Sequence, residues 1–143
     1  MKGINLGRVF LGGLLAGLVF NVSEFLLNEK VMKSEMEAAM KALGKSGELT
    51  SSALTVWIIF CFVMGFLAVW LYAAVRPRFG AGAGTAAYTG MFFWVMAGLL
   101  PQIAMSNMDL FPFSWLALGW TLVEAIVATV AGAWLYKEDG AAA

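Results

Sequence analysis

Six side chains carry polar or acidic groups where the surrounding sequence is apolar: Asn21, Ser23, Glu24, Gln102, Thr121 and Glu124. Glu124 stands out, because residues 113–136 contain no other charge. Counted from Phe113 at 1.5 Å per residue, it lies ~16 Å along its helix. That is close to the centre of a ~30 Å hydrocarbon core. An ionised carboxyl at that depth costs about 2.5–3.5 kcal/mol on insertion scales. The neutral acid is therefore expected unless a cation or donor stands nearby. Two chemistries suit such a group: an interhelical hydrogen-bond network that fixes register, or a proton or cation site.

Depth counting suggests partners for it. With Asn28 as the boundary, Asn21 lies ~10 Å and Glu24 ~6 Å inside. Matching Ala16-Gly17-Leu18 to Ala97-Gly98-Leu99 places Gln102 opposite Asn21. The expectation is a layer of Asn21, Gln102 and Glu124, with Ser23 and Glu24 above it and Thr121 on the inward side of Glu124.

Other chemistry is excluded by composition. The chain has no histidine, which removes imidazole-ligated metals, bis-histidine haem and Ser-His or Cys-His dyads. Cys61 is the single cysteine, so no internal disulfide or CxxC site forms. A net charge of zero gives no footprint for nucleic acid. No metal, cofactor or enzymatic activity is expected.

The elements that position these residues follow from hydropathy. Of 143 residues 62% are hydrophobic and 13% charged, with a mean hydropathy of +0.83; soluble domains carry about 25% charge. Segments 6–27, 52–75, 84–105 and 113–136 each supply the ~20 apolar residues a spanning helix needs. The expected fold is an all-α, single-domain integral membrane bundle of four transmembrane helices. The first segment lacks a small-residue cleavage site, so it is read as a retained helix.

Residues 28–50 form the long polar linker. Ser34 and Glu37 match a capping box, and Met36, Ala39, Met40 and Leu43 share one helix face. Glu37 and Lys41 have favourable i, i+4 spacing. A short amphipathic helix over 35–43, ended by Gly44, is expected on the membrane surface or against the bundle. Pro77 is expected to stop the second helix. The glycines of "RPRFGAGAGT" lack the Lys-Ser/Thr of a phosphate loop and read as a turn. Pro101 is expected to kink the third helix and free a backbone carbonyl, with Gln102 satisfying either that carbonyl or a polar group on a neighbour.

Four passes place both termini on one side. That side holds Lys2, Arg8, Arg76, Arg78 and Lys137, against Lys30, Lys33, Lys41 and Lys45 opposite. All the arginines fall on the terminal side, which reads as cytoplasmic. Trp70, Tyr72, Trp134 and Tyr136, with Arg76 and Arg78, read as interfacial anchors. The paired Trp-Leu-Tyr motifs suggest two αα hairpins in the same orientation. Small-xxx-small spacings at Gly13/Gly17, Gly12/Ala16, Ala86/Gly90 and along Ala117, Thr121, Ala125, Thr129 and Ala133 favour close helix packing.

"INLGRVFLGGLLAGLVFNVSEFLLN", "WLYAAVRPRFG" and "AGAWLYKE" together resemble a family of small four-helix bacterial inner-membrane proteins to which no activity is assigned. The resemblance spans nearly the whole chain. It implies the location and the four-pass topology, and it transfers no site residues.

The functional expectation is a structural or accessory subunit in the lipid bilayer, in a homo-oligomer or with other membrane subunits. The alternatives are a proton- or cation-coupled carrier using Glu124, and a lipid or quinone binder using Trp94, Trp115, Trp120 and Phe92-Phe93.

Overall fold

Asn5 opens the first helix by accepting a hydrogen bond from the Arg8 amide at 3.0 Å. The computed structural model describes residues 3–46 and 50–138. Helix α1 runs Leu6–Val31, its last five residues as a π-helical turn. Helix α2 is Lys33–Ala42, α3 Ser51–Phe79, α4 Ala83–Asn107 and α5 Trp115–Leu135. No strand occurs among the described residues. There, α1, α3, α4 and α5 are long and apolar enough to cross a membrane by length and composition.

Several boundaries depart from the sequence reading. Pro77 does not stop α3; the helix continues to Phe79, and Gly80, at φ 85°, turns the chain away. A proline in the last turn loses one backbone bond, while the positive φ that ends the helix needs glycine. The linker helix forms, but Ser34 does not cap it. Met32 stands at the N-cap without a side-chain bond, because the chain arrives from the π turn already helical. Gly44 ends α2 as expected: at φ 71° it donates to Lys41 O, and Lys45 donates to Met40 O, a Schellman closure. Ahead of Pro101, α4 widens into a π turn over Val95–Leu99, and the Leu100 amide reaches Val95 O. The break is absorbed by backbone, not by Gln102.

Packing is set by glycine. Gly13 and Gly17 of α1 lie on Phe66 and Phe62 of α3, and Gly65 faces back onto them. On α1's other side Gly12 meets Gly132 of α5; a Cβ on Gly132 would stand 2.7 Å from Gly12 O. Gly90 of α4 lies against α5, where a Cβ would stand 2.6 Å from Ala125 O. The small residues are thus spent on contacts within one chain. Ala125, Thr129 and Ala133 are buried, while Ala117 and Thr121 are half-buried. The buried Thr89 and Thr129 hydroxyls donate to carbonyls four residues back, at 2.7 Å each.

The two Trp-Leu-Tyr motifs behave alike. Trp70 and Trp134 are exposed. Tyr72 and Tyr136, read as interfacial anchors, turn inward instead and are 3% and 4% exposed. Their rings meet edge to face, 6.0 Å apart. The Tyr72 hydroxyl accepts from the amide of Gly82, N-cap of α4, at 3.2 Å. The Tyr136 hydroxyl accepts from the amide of Asn5, N-cap of α1, at 3.4 Å. Each hairpin's last helix thereby caps the first helix of the other. Burial is favourable for a tyrosine ring whose hydroxyl finds a partner. Tyr72→Phe and Tyr136→Phe should each cost about 1 kcal/mol, read as a lowered thermal midpoint in detergent. Midpoints unchanged in both variants would show that these caps carry no stability.

At the opposite end the bundle opens. Residues 51–60 of α3 are all exposed. The α2 face of Met36, Ala39, Met40 and Leu43 is only partly covered. Ala39, Ala42 and Leu43 border a gap of about 270 Å³ shared with Ser106 and residues 109–112.

Candidate functional site

Ser23, expected above the layer of Asn21, Gln102 and Glu124, is the residue that meets Glu124. The antiparallel crossing of α1 and α5 places them level, and the Ser23 hydroxyl donates to Glu124 Oε2 at 2.7 Å. Glu124 is 6% exposed. Trp120, one turn before Glu124 on the same face, donates its indole N–H to Ser23 Oγ at 2.9 Å. One serine hydroxyl therefore joins the carboxyl and the indole and ties α1 to α5. Beside it the Trp94 indole of α4 donates to Thr121 Oγ1 at 3.2 Å, and Thr121 passes its own proton to Ala117 O at 2.8 Å.

The remaining predicted residues stand apart. Asn21 shares the depth but faces α3; its amide donates to Gly17 O at 2.8 Å and to Ile58 O at 3.4 Å. Glu24 accepts from the Asn28 amide at 2.8 Å, one turn towards the linker. Gln102 lies outside the cluster. Its amide donates to Ser114 O at 3.2 Å, near the start of α5. Ten residues separate Ser114 from Glu124, or ~15 Å along the helix. The Ala-Gly-Leu match that put Gln102 beside Asn21 is therefore not a match in depth, because each antiparallel pair sets its own register.

Both indoles were missed as members of this network. The available signal was Trp120 four residues before Glu124, a spacing that shares a helix face. Trp94 had no such signal; its ring covers Gly98, where an added Cβ would come 2.9 Å from Trp94 Cδ1. Trp115 is 80% exposed. Cys61 is buried in α3.

At the terminal end Arg76 Nη1 stands 3.3 Å from Glu138 Oε1 and its guanidinium carbon 5.6 Å from the Tyr136 ring centroid. The ion contact lacks the geometry of a directed hydrogen bond. Arg78 is exposed and has no acidic partner among the described residues. Among those residues, no cluster of three His, Cys, Asp or Glu could hold a metal ion.

The Ser23 hydroxyl and the Glu124 carboxyl form one hydrogen-bonded pair between two helices, which can hold one proton or fix the helix register. Compared with known proteins, the chain matches no family model, no curated protein and no solved structure.

Proposed function

We propose that this protein is an integral, four-pass component of a bacterial inner membrane, with both termini cytoplasmic, that acts as a non-catalytic structural or accessory subunit. The reading rests chiefly on the state of Glu124. Its carboxyl is buried, bonded to Ser23, and tied through Ser23 to Trp120. A satisfied network of this kind fixes helix register. A surface open to partners is residues 51–60 of α3, all of them exposed and carrying Trp57 and Phe60. A second copy or another membrane subunit would dock there. The reciprocal tyrosine caps support reading the chain as two repeated hairpins in the same orientation.

The test is native mass spectrometry on protein released from its own membrane in mild detergent. The expected species contains this chain together with further chains, and Glu124→Gln leaves its subunit composition unchanged. A lone chain whose proton flux in liposomes is abolished by Glu124→Gln would overturn the proposal. That outcome belongs to a second reading, a proton- or cation-coupled carrier, favoured by a buried Glu124 carboxyl set against a hydroxyl between two helices.

A further inference from the structure

Between α3 and α4, on the terminal side, runs an apolar groove of about 550 Å³. Leu71, Val75 and Phe79 form its α3 wall, and Tyr88, Thr89 and Phe92 its α4 wall. The threonines there offer methyl groups, because the Thr89 and Thr85 hydroxyls are bonded to backbone carbonyls. From Leu71 to Phe79 the groove extends over eight residues, ~12 Å. That is close to the depth of one leaflet of a ~30 Å core.

The mouth has a different character. It ends at the last turn of α3, where Arg78 is exposed and unpaired by any acid among the described residues. Residues 76–85 contain no Asp or Glu. At the first turn of α4, Tyr72 takes the Gly82 amide, but Gly82 brings no capping side chain for the amides that follow it, and a Cβ on Gly80, Gly82 or Gly84 would meet nothing within 4 Å. The outward amides of that turn, at the positive end of a long helix, are open to an anion. Tyr88 is 72% exposed, and its hydroxyl makes no hydrogen bond among the described residues. Basic and aromatic groups at one end of an apolar channel match an amphiphile whose head is negative.

We propose that this groove holds an acyl chain of an anionic phospholipid, with the phosphate at Arg78 and the first turn of α4. The inference rests on the membrane location proposed above. A zwitterionic lipid gains less, since no carboxylate in residues 76–85 would meet its ammonium.

Native mass spectrometry of the full chain in an uncharged detergent tests this, with phosphatidylglycerol and phosphatidylcholine of identical chains added in turn. One phosphatidylglycerol per chain should be retained about tenfold more tightly than phosphatidylcholine. Arg78→Gln should lower phosphatidylglycerol retention about fivefold, the usual weight of one basic residue at a lipid surface, and leave phosphatidylcholine unchanged. Val75→Trp, which fills the groove, should abolish both. Thermal unfolding verifies that each variant is folded, and Arg78→Gln, being exposed, keeps the test open if Val75→Trp fails. Equal retention of the two lipids, or phosphatidylglycerol retention indifferent to both variants, overturns the proposal. A co-purifying quinone that phosphatidylglycerol does not displace also overturns it. Release of the protein from membranes by alkaline carbonate would instead sink the membrane reading itself, which separates the two failures.

Discussion

Gly65→Val is expected to destabilise the bundle by more than about 3 kcal/mol, at the upper end of the overpacking range. An alanine at this position would already place its Cβ 2.5 Å from Gly13 O and 2.8 Å from Gly17 Cα. Both obstacles are backbone, so no rotamer change relieves them. The helices would have to separate, and the close dispersion contacts that hold them would be lost together. Thermal unfolding in detergent should show a midpoint lower by roughly 10 °C. Gly119→Ala is the matched control: its Cβ would meet nothing within 4 Å, and alanine improves helix propensity by about 1 kcal/mol. Equal midpoints for Gly65→Val and the unaltered chain would refute the α1–α3 crossing described here.

Ser23→Ala should cost about 2 kcal/mol, more than any change at Glu124 that keeps an acceptor. The variant removes one hydroxyl and thereby strips both the Glu124 carboxyl and the Trp120 indole of a partner. Buried groups left unsatisfied cost about 1–3 kcal/mol each, though interhelical bonds in membranes average nearer 0.6 kcal/mol. Glu124→Gln keeps an oxygen that accepts from Ser23 and should cost less than about 1 kcal/mol. Ser23→Thr keeps the hydroxyl and should rescue the Ser23→Ala loss. The indole emission of Trp120 should shift in Ser23→Ala and stay in place in Ser23→Thr. If Glu124→Gln proves the more damaging, the carboxyl has a role beyond this bond, and the carrier reading gains.

The four long helices were legible because apolar length is a local property. Runs of about 20 apolar residues announce themselves, and the polar linker with its Met-rich face does too. Caps that use a neighbour in sequence were also within reach. α2 ends as Gly44 bonds three residues back and Lys45 five residues back, and only the freedom of Gly44 at positive φ is required. Pro77 misled because proline's penalty depends on its place in the turn.

The sequence by itself determined that Glu124 stands mid-helix and is costly there, that Ser23 lies inside the apolar span of its own helix, and that small residues recur at four-residue spacing on three of the helices. Which of these meet was decided only by the tertiary structure. A helix residue points in one direction, and a rotation of 100° per residue separates facing α5 from facing α3. Ser23 and Asn21, two residues apart, therefore serve different neighbours. Register between antiparallel helices is likewise a property of the pair. It is set where Gly12 meets Gly132 and where Gly90 meets Ala125. That register brings Trp120 to Ser23 and leaves Gln102 at Ser114. The pairing of Tyr72 with Gly82 and of Tyr136 with Asn5 has the same origin, because contacts between hairpins exist only once both have packed.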